Sequence, residues 1–130
     1  MDFTIARDTK GPVGIGVVPG TLDYMPPEVC FTADRGGPGW DIYALGHSLY
    51  EALTGKRAYP LLPTGTAGYS SFFDRSRNMI MPDLSDSVVV KNVNLHDLLV
   101  RMTHPYLSKR LADAREVERR LLELAEAAKE

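Results

Sequence analysis

The stretch DIYALGHSLYEALT, residues 41–54, has the strongest helical pattern in the chain. Only three of its inner residues are clearly polar: His47, Ser48 and Glu51. A helix that is apolar on nearly every side is normally covered by protein on several faces. We therefore predict a buried helix here, with Asp41 as its N-cap and Gly55 just past its C-terminus.

Two amphipathic helices are predicted further along the chain. The first begins near Asn94, with Asp97 three residues on, and ends before Pro105. The second runs from Asp113 to Ala128, with apolar residues at helical spacing on one side and charges on the other. These patterns predict a mainly α fold.

The other segments show little periodicity. Residues 1–40 are rich in Gly and Pro and read as a loop region, whereas 41–130 read as a helical region of the same single domain. Within 56–92 we expect mostly irregular chain, with a short helix over 70–78 and an extended segment over 87–90.

Composition excludes several classes of protein. The 130 residues carry 15 basic and 17 acidic side chains, a net charge of −2, which gives no reason to expect a nucleic-acid partner. The single cysteine, Cys30, cannot form an internal disulfide, and this suits a reducing compartment. No apolar run approaches the roughly 18 residues that a membrane span needs. We expect a cytoplasmic protein with no membrane contact.

Four segments in order carry a family resemblance. They are DFTIAR at residues 2–7, GTLDYMPPE at 20–28, DIYALG at 41–46 and LLVRM at 98–102, which continues to Arg110. Together they resemble the protein kinases of the Ser/Thr type, from the DFG segment to the last conserved helix of the C-lobe. The resemblance covers nearly the whole chain and implies a partial kinase C-lobe without an N-lobe, with 1–40 as an activation-segment-like region.

Three residues near the N-terminus acquire functional roles from this resemblance. Asp2 matches the DFG aspartate, which binds Mg²⁺ on the ATP phosphates. Thr21 matches the threonine of the P+1 segment, which lies beside the catalytic aspartate in the Ser/Thr kinases, and the resemblance implies that it binds substrate. Thr9, the only Ser or Thr between Arg7 and Gly20, is the candidate phosphorylation site.

Three further residues acquire structural roles. Glu28 and Arg110 match a buried ion pair between the APE glutamate and a late arginine. Asp41 matches the helix aspartate that holds the backbone of the catalytic loop. None of the three is predicted to be catalytic.

Most kinase parts have no counterpart in these 130 residues. A Gly-rich loop, a strand lysine with its helix glutamate, and a catalytic loop are all required for phosphoryl transfer. We therefore expect Mg-ATP as a cofactor only if a missing N-lobe and catalytic loop complete the chain. A helix that has lost its cover would also need a protein partner or a second copy.

Three hypotheses on function follow. The leading one is a truncated Ser/Thr kinase-like C-lobe that is catalytically incompetent alone and acts, if at all, as a binding module. The second is a fragment or split half of an active Ser/Thr protein kinase. The third is a decayed gene product without kinase-related activity.

Overall fold

A computed structural model describes residues 21–31 and 37–129 of the chain. These residues form five α-helices and three 3₁₀ turns, without any β-strand, and the predicted mainly α fold is confirmed. The helices are α1 (Pro38–Thr54), α2 (Thr66–Arg77), α3 (Ser87–Val90), α4 (Val93–Met102) and α5 (Ala114–Ala128). The 3₁₀ turns are Thr21–Tyr24, Pro27–Cys30 and Leu107–Lys109. Among the described helices, none combines the length and apolar character that a bilayer crossing requires.

Helix α1 begins at Pro38, so the prediction that Asp41 caps it is wrong. Gly37 occupies the N-cap position, and a proline in the first turn suits a helix start because its φ is already helical. Asp41 lies in that first turn, where its carboxylate interacts favourably with the positive end of the helix dipole. The predicted C-terminus is confirmed, since Gly55 adopts a left-handed φ of 72° and donates its N–H to the carbonyl of Glu51.

Helix α4 packs against α1 and divides the core into two clusters. Leu99 belongs to the first cluster, with Tyr50 of α1. Leu98 and Met102 belong to the second, with Ile42 of α1. The remaining buried members are Ala58, Leu84 and Val89 in the first cluster and Val117 in the second. Thus α1 contributes to both clusters, and α5 closes the second through Val117.

Helices α1 and α4 are in close contact at Gly46. A Cβ atom on this residue would lie 2.7 Å from Cγ2 of Thr103 and 2.8 Å from Cβ of Met102. Both distances are shorter than real contacts allow, so the packing requires glycine.

Side-chain caps fix where the later helices start. Asn92, rather than the predicted Asn94, caps α4 by accepting from the N–H of Leu95. Asp113 caps α5 as predicted and accepts from the N–H of Arg115.

The middle of the chain is more helical than the sequence indicated. Helix α2 is confirmed but starts earlier than the predicted 70–78 segment. The predicted extended segment at 87–90 is wrong, because these residues form the single turn of α3. Asp86 caps that turn by accepting from the N–H of Val88, and this local bond outweighs the strand preference of the three valines.

Candidate functional site

The described residues contain four of the six predicted site residues. Thr21 starts the first 3₁₀ turn, Glu28 lies in the second, and Asp41 lies in the first turn of α1. Arg110 follows the third 3₁₀ turn. The remaining two, Asp2 and Thr9, lie outside the described residues.

Glu28 and Arg110 are brought together across the fold. Nη1 of Arg110 donates to Oε2 of Glu28 at 2.5 Å, and Nη2 donates to Oε1 at 2.8 Å. The arginine side chain is 0% exposed and the glutamate 13% exposed. Parallel two-point contact is the strongest geometry between an arginine and a carboxylate, because the planar fork matches both oxygens.

The rest of the Arg110 guanidinium is satisfied by backbone carbonyls. Nε donates to His104 at 2.8 Å, Nη1 also donates to Gly39 at 3.4 Å, and Nη2 also donates to Pro105 at 3.4 Å. The guanidinium carbon lies 4.9 Å from the ring centroid of Tyr43. Arg110 therefore holds the second 3₁₀ turn, the start of α1 and the loop after α4 in one arrangement.

A shallow cleft lies between the first 3₁₀ turn, α1 and the loop after α1. The hydroxyl of Tyr24 donates to Oε2 of Glu51 at 2.8 Å, and burial together with this carboxylate raises the pKa of Tyr24. Arg57 lies 3.6 Å from the buried carboxylate of Asp23. The free space is about the size of one water molecule, far too small for a nucleotide.

An aromatic cluster forms the inner wall of this cleft. The ring of His47 lies 4.5 Å from Tyr43 and 5.4 Å from Tyr59, measured between centroids. Burial, and then the charges of Arg75 and Arg110, lower the pKa of His47 to about 3. His47 is therefore neutral at physiological pH.

Sequence reasoning missed His47 as a core residue. It was counted among the polar residues of an otherwise apolar helix. The spacing of the aromatic residues could have indicated its burial. Tyr43, His47 and Tyr50 recur at i, i+4 and i+7 and so share the buried face of α1.

No metal centre is evident in residues 21–31 and 37–129. In that part of the chain no three His, Cys, Asp or Glu side chains are grouped closely enough to hold an ion. The Mg²⁺ role that the resemblance gives to Asp2 concerns a residue outside this part of the chain.

Comparison with known proteins gives a partial likeness to a protein kinase. Over 55 residues, 42% of this chain, the sequence is 40% identical to developmentally-regulated protein kinase 1 of Dictyostelium discoideum. The chain covers 8% of the length of that protein. No family model matches the chain, and no solved structure matches it. The comparisons thus indicate a relation to protein kinases over part of the sequence.

Removing the carboxylate of the buried pair should destabilise the fold. Glu28→Ala leaves the Arg110 guanidinium buried without its counter-charge, and the expected loss is about 3 kcal/mol of unfolding free energy. Thermal or urea unfolding measures it. Glu123→Ala is the control, because its pair with Arg119 is exposed and should leave the melting temperature nearly unchanged. Equal melting temperatures for Glu28→Ala and wild type would show that the pair does not stabilise the fold.

The neutral His47 should make stability depend on pH below its unfolded pKa. Between pH 6.5 and about 5 the unfolded chain protonates this histidine and the folded chain does not. The unfolding free energy should therefore decrease as the pH is lowered, by up to about 1.4 kcal/mol per pH unit.

Urea unfolding at several pH values tests this slope. His47→Phe should remove most of it while keeping an aromatic ring in the cluster. His104→Gln should keep most of it, because the lowered pKa of His104 belongs to a more exposed group that solvent screens. A wild-type slope retained in His47→Phe would contradict the assignment.

Proposed function

We propose that this chain is a kinase-related helical module that acts by binding another protein and does not transfer phosphate by itself. The partial match to a protein kinase supports the kinase relation. The contact between Glu28 and Arg110 agrees with what the family resemblance implies for those two residues.

The sequence argues against independent catalysis. None of the 130 residues lies in a segment that resembles a Gly-rich loop, a strand lysine with its helix glutamate, or a catalytic loop. An isolated carboxylate such as Asp2 is a poor Mg²⁺ site, because the ion needs substrate phosphates or further ligands.

The observation that favours binding is an exposed apolar stripe on α1. Leu45, Ala52 and Leu53 share one helix face at i, i+7 and i+8, and the two leucines are 37% and 41% exposed. The opposite face of the same helix supplies both core clusters. Large exposed apolar patches mark contacts with other proteins, and this stripe is the exposed apolar part of α1. We propose that the stripe of α1 binds a second copy or a protein such as a kinase or kinase substrate.

Polar substitution of the stripe tests this proposal. Leu45→Gln with Leu53→Gln should abolish self-association in sedimentation velocity and lower the binding of a hydrophobic dye at least twofold. Val93→Gln is the control, since this valine is 77% exposed and belongs to α4 and not to the stripe. A wild-type chain that is strictly monomeric and binds no dye would overturn the proposal.

A second candidate function is a segment of an active Ser/Thr protein kinase. The observation in its favour is that the chain covers only 8% of the kinase it matches. In that case another polypeptide segment would supply the Gly-rich loop, the lysine–glutamate pair and the catalytic loop. Mg-ATP would then be the phosphate donor.

Thermal melting with Mg-ATP distinguishes the two candidates. For the chain alone we expect no change in melting temperature that depends on Asp2, because these residues lack a phosphate-binding loop. An increase of several degrees that disappears in Asp2→Ala would contradict the binding-module proposal and favour the kinase segment. Asp74→Asn, at an exposed ion pair on α2, is the matched control.

A further inference from the structure

Unpartnered polar atoms collect at one place in the described part of the chain. Four buried side-chain nitrogen and oxygen atoms there lack a hydrogen-bond partner: Nε2 of His47, Nη1 and Nη2 of Arg75, and Oγ of Ser76. Buried polar groups in native proteins are nearly always hydrogen-bonded, so such a group requires an explanation.

Ring and charge contacts show that these atoms belong to one cluster. The guanidinium carbon of Arg75 lies 4.0 Å from the ring centroid of Tyr59, which in turn stacks on His47. Arg75 and Ser76 also meet at Cys30. Burial raises the pKa of that thiol, and the Ser76 hydroxyl and the Arg75 charge lower it to a smaller extent. The cluster lies where α1, α2 and the turn Pro27–Cys30 come together.

The unmatched charge of the cluster is that of Arg75, because the charge of Arg110 is matched by Glu28. The charged groups that shift the pKa of His47 are Arg75 and Arg110, and both lower it. The two nearest carboxylates of the adjoining cleft have other partners, since Asp23 faces Arg57 and Glu51 accepts from Tyr24.

Stacking stabilises Arg75 only in part. Its contact with the face of Tyr59 is a cation–π interaction, which leaves the N–H groups in the guanidinium plane without acceptors. Ser76 is 1% exposed and faces the Cys30 thiol, which is a weak acceptor, so neither water nor an oxygen acceptor satisfies its hydroxyl. Every unpartnered atom in the cluster can donate a hydrogen bond, because the neutral imidazole of His47 can carry its proton on Nε2.

We infer that Arg75 and Ser76 form a binding site for a single oxyanion, either a carboxylate or a phosphate group. Two free Nη atoms on one guanidinium present the planar fork that binds the two oxygens of such a group. The Ser76 hydroxyl, which like Arg75 lies near Cys30, supplies a further donor. This site involves neither the stripe of α1 nor Mg-ATP, and it therefore goes beyond the proposed function.

The surface cleft offers a route to the site. His47 and Tyr59 line this cleft and also contact the cluster. The Tyr59 hydroxyl donates to the carbonyl of Ile80, which holds the ring in place. A small anion from the cleft would reach the guanidinium only if the Tyr59 ring gave up this hydrogen bond and turned away from Arg75.

Thermal melting with small anions tests the inference. Inorganic phosphate or sodium acetate, at up to about 20 mM and at an ionic strength matched with NaCl, should raise the melting temperature of wild type by about 3 °C and saturate. Arg75→Lys keeps the charge but loses the fork, and should lose most of this increase. Arg77→Lys is the matched control, because Arg77 lies on the same helix in an exposed pair with Asp74.

The two anions identify the class of ligand. An increase with phosphate alone identifies a phosphate site, an increase with acetate alone identifies a carboxylate site, and an increase with both identifies a site that takes either oxyanion. No saturable increase in wild type, or an equal one in Arg75→Lys, would overturn the inference and leave stacking on Tyr59 as the explanation. If Arg75→Lys fails to fold, two other measurements replace it. Ser76→Ala should reduce the increase in melting temperature, and the NMR signal of the Arg75 Nε–H in wild type should shift as anion is added. An Nε–H signal that does not move with added anion excludes the site.

Discussion

Helix α1 can reach α4 only because residue 46 has no side chain. A single added carbon would lie 2.8 Å from Cβ of Met102, and close-packed interiors cannot absorb such an overlap without backbone movement. The two core clusters are built on either side of this contact. The position of Arg110 depends on it as well, since that residue follows α4 and bonds to the carbonyl of Gly39 at the start of α1.

The ion pair and the aromatic cluster share α1 as their support. Tyr43 packs under the guanidinium of Arg110 and against the ring of His47. One side of the helix thus contacts a charged pair that is fully matched, and the next turn contacts an arginine, Arg75, whose charge has no carboxylate partner in the described residues. In the described part of the chain, Arg110 is thus buried with its charge matched, whereas Arg75 is partly buried with its charge unmatched.

Sequence reasoning succeeded where the deciding interaction is local. Gly55 and Asp113 end and begin their helices through bonds within one turn, and both were predicted. It failed where several local patterns compete: the cap at Asp86 turns a run of valines into a helix. His47 was missed as a core residue although Tyr43 and Tyr50 share its helix face, because the stacked ring of Tyr59 comes from outside the helix. The contact of Glu28 with Arg110 could be expected only from the family resemblance, since no periodicity relates two such distant positions.

That distance has a consequence for the order of folding. Glu28 and Arg110 are separated by 82 positions, and the entropy of closing so long a loop must be offset before the pair contributes any stability. The turns at residues 21–30 therefore cannot dock through this pair until α1 and α4 have packed and the chain beyond α4 is in place. During synthesis the N-terminal turns leave the ribosome first yet make this contact only after the C-terminal part has emerged.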